Sequence, residues 1–411
     1  MEKINKLKIF SDPIYGFITL PNTLIYDIVQ HPEFQRLRRI SQMGMAYMVF
    51  PGAHHTRFHH ALGCLHLMQQ AVNTLRIKGV RISDDEENGL YLAILLHDIG
   101  HGPFSHALEH SIIEEVSHED ISLAFMEKFN IIFPGKLDLA IEIFKASYPR
   151  KFMIQLVSSQ LDMDRMDYLK RDSFFTGVAE GNISSQRMIQ MMNVKDDVLV
   201  IEEKGIYSVE NFLTARRLMY WQVYLHKTSL VTELILIKVM KRARELIQNK
   251  IEVNCSAPLS FFLNHNVSKE ELCGDALDTF ALLDDYDIIS AVKQWLTHDD
   301  FILRKLSNMI INRELPKIIL SNDKFSSEET QKLVDRFLET NKLTATEAKY
   351  FIFKGKIKNQ AYNKCLEPIR ILKKDGSVED VIDASDQLNL RALSKPVTKY
   401  YICFPKVLVE K

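Results

Sequence analysis

Apolar positions recur with two periods along this chain, and they divide it into short β pieces and a long succession of helices. Residues 8 to 20 alternate around Asp12-Pro13 and Gly16, which predicts a β-hairpin. Asn22 and Thr23 can cap a helix through Val29, and Pro32 opens another that carries Phe34, Leu37 and Ile40 at helical spacing. Arg36, Arg38 and Arg39 then read as its solvated basic face. Residues 45 to 50 form an apolar run ended by Pro51-Gly52, predicting an extended segment and a turn. A helix follows His60 to about Arg76, and Ser83-Asp84-Asp85-Glu86 starts one that ends near His97. Gly100, Gly102 and Pro103 turn the backbone, with the next helix predicted from Pro103.

Downstream, Ser117 to Asp120 caps a helix through Phe129, and residues 135 to 159 are helical with a break at Pro149. Residues 161 to 172 form one more helix, placing Asp164, Tyr168 and Asp172 on one face. A hairpin is predicted from residues 197 to 201, through a Glu-Glu-Lys-Gly turn, to Ile206-Tyr207, and a long helical stretch from 209 to 250. The remainder alternates short helices with strand-like pieces at 317–320, 370–373 and 400–404. The expectation is a mainly α protein: a helical bundle over residues 1–310 with small β-hairpins, and a smaller mixed α+β C-terminal lobe over 311–411.

The chain has 411 residues, 46% hydrophobic and 26% charged, which is the balance of a globular protein with a substantial core. A formal net charge of −1 gives no global reason to expect nucleic acid or an anionic membrane as partner. The five cysteines are scattered without a C-x-x-C pair, so reduced thiols and a cytoplasmic location are expected. No apolar run reaches membrane-spanning length.

Histidine distribution changes the picture. Ten of the fourteen histidines fall between His54 and His118, around the segment His97-Asp98-Ile99-Gly100-His101-Gly102-Pro103-Phe104-Ser105-His106. Mixed imidazole and carboxylate donors suit a divalent metal, and chemistry alone allows Mn, Fe, Mg or a similar ion. His60 and Cys64 share a helix face, but zinc sites built on cysteine usually present paired thiolates, so Cys64 reads as a small buried hydrophobe.

The ordered set His60, His97-Asp98 and Asp164 resembles the signature of the HD-domain metal-dependent phosphohydrolases. The likeness extends over Asp12-Pro13-Ile14-Tyr15-Gly16, Phe34-Gln35-Arg36-Leu37-Arg38, Val49-Phe50-Pro51-Gly52-Ala53 and Arg57-Phe58-His59-His60. Together with the His97–His106 segment, these are similar to the deoxynucleoside triphosphate (dNTP) triphosphohydrolases of that superfamily. That branch includes the SAM- and HD-domain enzyme and its bacterial relatives; no SAM domain is expected here. The match covers roughly residues 8 to 230.

The resemblance implies an HD-domain bundle in which His60, His97, Asp98 and Asp164 bind one divalent ion. It implies water attack on the α-phosphorus of a dNTP, releasing deoxynucleoside and triphosphate. His101, His106 and His118 match the catalytic and phosphate-contacting histidines; His118, oriented by Glu119, is the first candidate for protonating the leaving oxygen and His106 the second. Arg57, Arg165, Arg216 and Lys170 are candidates for the triphosphate charge. Tyr168 and Asp172 match contacts to the sugar's 3′-hydroxyl edge, Gln42 matches a sugar contact, and Met43 stands near the base where relatives carry Leu.

Regulated members bind a guanine nucleotide between subunits. Lys8, Gln35 and Arg38 match that site, but the guanine-reading Asp position is Gln30, and a neutral amide cannot replace a carboxylate that accepts two N–H bonds. A different activating nucleotide or none is therefore expected, in a homodimer or homotetramer. An HD phosphohydrolase acting on another nucleotide or on single-stranded nucleic-acid ends is the alternative, and a non-catalytic nucleotide-sensing oligomer is a third reading.

Overall fold

The computed structural model describes residues 8–105, 107–113, 115–364, 367–387 and 389–408. It is mainly α-helical, with three small sheets at the periphery. The Arg57–Ile77 helix lies at the centre and packs against the Asp84–Leu96 and Met163–Thr176 helices. Gly63 permits the second of these approaches. A Cβ there would fall 2.0 Å from Asp167 Oδ1, so any side chain would push the two helices apart.

The N-terminal hairpin pairs Ile9–Asp12 with Gly16–Thr19, and Asp12 Oδ1 accepts from Ile14 N at 2.8 Å and Tyr15 N at 3.0 Å to close its turn. Asp12 Oδ2 also takes Arg171 Nη1 at 2.7 Å, which fastens the hairpin to the Met163–Thr176 helix. Ser83 and Glu86 form the expected capping box of the Asp84–Leu96 helix, as do Ser117 and Asp120 for His118–Ile132. Helices at Asp138–Phe144 and Lys151–Val157 flank the predicted break.

Four local expectations are corrected. Residues 45–50 are not extended: Ala46–Met48 is a 3-10 turn, because this run has no neighbouring strand and bonds locally, Ala46 N to Met43 O and Met48 N to Met45 O. No helix starts at Pro103. Phe104 takes a left-handed φ of +44°, and its N–H goes to Asp285 Oδ1 at 2.9 Å; the next helix among the described residues is the four-residue Glu109–Ile112. The hairpin strand Val198–Glu202 pairs backwards with Met192–Lys195. Asp196 and Asp197 both have positive φ, the geometry of a two-residue hairpin turn, while Ile206 begins a helix instead. The long helix is broken: Ile206–Met219 leads into a π turn at Tyr220–Tyr224, where Leu225 N bonds to Tyr220 O, and His226 then caps Lys227–Gln248.

The predicted strand pieces towards the C-terminus are present. Lys317–Ser321 and Phe353–Asn359 both pair antiparallel with Val397–Phe404. Arg370–Leu372 runs parallel to Val198–Glu202 and extends that hairpin into a four-stranded sheet with Val378–Asp380. No helix among the described residues is long and apolar enough to cross a membrane.

Candidate active site

Three elements bring the metal-ligand candidates together. His60 comes from the first turn of Arg57–Ile77, His97 and Asp98 from the C-terminal end of Asp84–Leu96, and Asp164 from the first turn of Met163–Thr176. His60 Nε2 lies 3.0 Å from Asp164 Oδ1 and 3.6 Å from Asp98 Oδ2. His97 Nε2 lies 3.3 Å from Asp98 Oδ1 and 3.6 Å from Asp164 Oδ1.

The opposite nitrogen of each imidazole is tied down. His60 Nδ1 meets Asp167 Oδ2 at 2.7 Å, and His97 Nδ1 meets the Ile94 carbonyl at 2.7 Å. With its hydrogen on Nδ1 each ring presents Nε2 inward, and against burial the acidic neighbours raise the pKa of both rings, so an ion there would take the place of a proton at each Nε2. Nε2 of His97 is buried and makes no hydrogen bond. Two inward lone pairs facing two carboxylates fit a divalent cation.

The electrostatics agree. Burial works against the charged form of Asp98, yet His97, Arg57 and His101 hold this carboxyl well below the usual range. Asp164 is depressed in the same way by His60 and His97. Cys64 is fully buried with Sγ 3.5 Å from His60 Nδ1, and burial pushes its thiol strongly up. Its sulfur nevertheless lies within 4.8 Å of ligand atoms of His60, His97 and Asp164, so Cys64 belongs to the group that could hold an ion and is more than the small hydrophobe the sequence suggests.

Arg171 anchors this arrangement from behind. It donates to Asp167 through Nε at 2.9 Å and Nη2 at 3.0 Å while holding Asp12 with Nη1. The line Asp12–Arg171–Asp167–His60 runs from the hairpin to the metal position. Nothing in the sequence assigns a role to Asp12, Asp167 or Arg171.

Arg36 also departs from expectation. It is fully buried, because Nη2 reaches the carbonyls of Ile99 at 2.9 Å and His101 at 3.0 Å, and Nη1 that of Leu283 at 3.2 Å. It clamps the turn after His97-Asp98 rather than facing solvent. Gly100 completes that turn: a Cβ would sit 2.3 Å from both His118 O and Ser122 N, so only glycine lets the turn rest on the next helix.

The metal position opens into a cleft of about 420 Å³. At its inner end are Arg57, Asp98, His101, Ser105, His118 and Asp164. Arg57 pairs with Asp98 and donates to Ser105 Oγ at 2.8 and 3.1 Å. The His101 and His118 rings stack with centroids 3.9 Å apart. His101 Nε2 lies 3.2 Å from Asp98 Oδ1, and burial together with Arg57 pushes the His101 pKa well down.

His118 is oriented by Glu109, not Glu119. Glu109 Oε1 takes His118 Nδ1 at 2.5 Å and the backbone N–H at 2.9 Å, whereas Glu119 is exposed on the helix's outer side. The hydrogen bond from His118 depresses Glu109 to about 2.

Farther out the walls are Gln42, Met43, Arg165, Tyr168 and Asp172, as expected, joined by Tyr220, Val223, Tyr224, Leu225 and Glu233. Asp172 is held on both oxygens, by His55 Nε2 at 2.7 Å and by the Tyr224 hydroxyl at 2.8 Å. Arg165 is fixed by Ser159 O and Asp162.

Comparison with known proteins follows from this geometry. The HD domain family model matches residues 57–172, and the HD associated region matches 183–255. The chain is 50% identical to a phosphohydrolase from Bacteroides thetaiotaomicron whose crystal structure superposes with a TM-score of 0.94, covering 98% of this chain and 100% of that one. It is 36% identical over 321 residues to the uncharacterized protein YwfO of Bacillus subtilis, covering 76% of this chain and 72% of YwfO. This chain belongs to the HD-domain phosphohydrolase family. Human deoxynucleoside triphosphate triphosphohydrolase SAMHD1 is 29% identical over 289 residues, 60% of this chain and 46% of that protein, so the likeness spans about half the length of SAMHD1.

Within this HD-domain chain some expected site residues lie elsewhere. Lys170 points away from the cleft, with Nζ over the Tyr15 ring at 5.1 Å, because its helix position faces the hairpin. Arg216 does not line the cleft but is buried near Tyr168, with Nε and Nη1 unbonded. His106 lies outside the described residues. Of the regulatory candidates, Lys8 lies over the Tyr26 ring, Gln35 donates to Val29 O and accepts from Arg38 Nε, Arg38 covers the Phe58 ring, and Gln30 is exposed.

Proposed function

We propose that this protein is a metal-dependent dNTP triphosphohydrolase, releasing deoxynucleoside and intact triphosphate. The observation that carries the reading is a single cleft. It is lined by Asp98 and Asp164, the carboxylates that face His60 and His97, by the stacked pair His101 and His118, and by Tyr168, Asp172 and Gln42. His60, His97, Asp98 and Asp164 would hold a divalent ion, which would supply positive charge for a phosphoryl oxygen and lower the pKa of the attacking water.

The chain's own groups account for the rest. Arg57 and Arg165 line the cleft as cations for the phosphates. His101 is kept neutral, so the proton for the leaving 5′ oxygen falls to His118, whose Nδ1 is held by Glu109 and whose Nε2 remains for the substrate. Asp172, fixed by His55 and Tyr224, accepts from the 3′-hydroxyl, and Tyr168 packs against the sugar where a ribose 2′-hydroxyl would crowd it.

The test is chromatographic. Purified protein is incubated with each dNTP alone and with all four mixed, in the presence of Mn, Mg or Fe. Deoxynucleoside and triphosphate in equal amounts are expected, and turnover only in the mixture would reveal an activating nucleotide between subunits of an oligomer. Nucleoside diphosphate or monophosphate as the product, or no turnover under any condition, sinks the reading.

A further inference from the structure

The outer end of the cleft holds a carboxyl that the reaction does not use. Glu233, on the Lys227–Gln248 helix, lines the wall together with Met43, Gly44, Val223 and Leu225. Its Oε1 lies against the backbone of Gly44, where an added Cβ would be only 3.4 Å away. It makes no hydrogen bond or ion pair among the described residues. No charged group of the metal end perturbs it, since burial is the sole cause of its shifted acidity, and that burial raises it to about 8. Gln42 Oε1, on the same wall, is likewise buried and unbonded. A partly buried acid without a partner, on a cleft wall that also carries the unbonded Gln42 Oε1 and Ser229 Oγ, is poised for a ligand group.

We propose that Glu233 contacts the hydrogen-bonding edge of the nucleotide base and makes the site tolerant of all four bases. The assignment rests on the dNTP reading above. The physical reason lies in what a carboxylic acid offers. In its protonated form, favoured by this apolar surround, it presents one O–H donor beside one C=O acceptor and can exchange the two by rotation. Adenine offers a matching acceptor and donor at N1 and N6, and cytosine at N3 and N4. Guanine does so at O6 and N1, and thymine at O4 and N3. A side chain that only accepts would select the base with two adjacent donors. One that does both fits each base in turn, while Met43 and its apolar neighbours supply contact without direction.

The test compares wild type, Glu233→Gln and Glu233→Leu with the four dNTPs and with 2-deoxyribose 5-triphosphate, which has the sugar and phosphates but no base. Glu233→Gln keeps one donor and one acceptor, so KM for each dNTP is expected to stay within about threefold of wild type. Glu233→Leu removes both and is expected to raise KM for all four by about 10-fold, with kcat changing far less. Its affinity for the base-free triphosphate is expected to be unchanged, which also certifies that the variant is folded. Wild-type hydrolysis with KM values unaltered in Glu233→Leu overturns the assignment of Glu233 alone. An equal loss for the base-free probe overturns it too, as a general disturbance of the cleft. Absence of dNTP hydrolysis by the wild type removes the substrate reading and this assignment together.

Discussion

At the metal end of the cleft, the side chains are held by partners from the chain itself. His60 is fixed by Asp167, Asp167 by Arg171, Arg171 by Asp12, and the turn carrying His101 by Arg36. Farther out Asp172 and Arg165 are held too, but Gln42 Oε1, the Tyr168 hydroxyl and Ser229 Oγ are buried without a bond, and Glu233 makes none among the described residues. On the proposed function the first region is organised in advance, so that an ion and a phosphate would meet fixed charges, which is where preorganisation contributes most to rate. The second leaves its hydrogen-bonding capacity for the ligand, which is what recognition requires. Substitutions at the two ends should therefore fail differently, in metal content and kcat at one and in KM at the other.

The largest effect is expected from His97→Ala. Removing one inward lone pair should strip bound metal, measured by inductively coupled plasma mass spectrometry, and lower turnover by about 10³-fold or more. Full metal content with near-normal turnover would break the assignment of this ligand set.

The next effect separates the proton donor from the ligands. His118→Ala should retain metal and lose about 10²- to 10⁴-fold in kcat. Glu109→Gln should lose about 10-fold, since it keeps the ring's position but weakens the charge-assisted bond, while Glu119→Gln should be silent. A larger loss from Glu119→Gln than from Glu109→Gln would reverse the orienting role found here.

The metal end was legible because its residues are packed into short segments whose local geometry is decisive. Gly100 lies two residues beyond Asp98 in the turn that follows His97-Asp98, and the capping box at Ser117 starts the helix on His118 itself. Glu109 was missed for the opposite reason. It lies nine positions before His118, across a short helix and the left-handed Glu115, which carry no periodic signal. Glu119 is next to His118 in the chain but faces outward on the helix. Tyr224 and Glu233 reach the cleft because a π turn interrupts what reads as a continuous helix. Arg36 looked solvated because nothing in its own helix announces the distant carbonyl of Leu283.

The smallest predicted effect tests whether the supporting chain behind His60 stabilises the fold as well as the site. Burial opposes ionisation of Asp167, but Arg171 and His60 outweigh it and lower its pKa from 3.8 to about 2. A carboxyl whose folded pKa lies below its unfolded value adds stability that is fully present above the unfolded pKa. That stability fades as pH falls toward the folded one. The shift corresponds to about 2 kcal/mol. Urea unfolding of chelator-treated wild type and Asp167→Asn should therefore differ most above about pH 4, and the gap should shrink by about that amount between pH 4 and pH 2. Using metal-free protein keeps loss of the ion from contributing to the acid limb. A gap that stays constant down to pH 2 would mean that Asp167 holds His60 through shape and hydrogen bonding alone, with its charge contributing nothing to the fold.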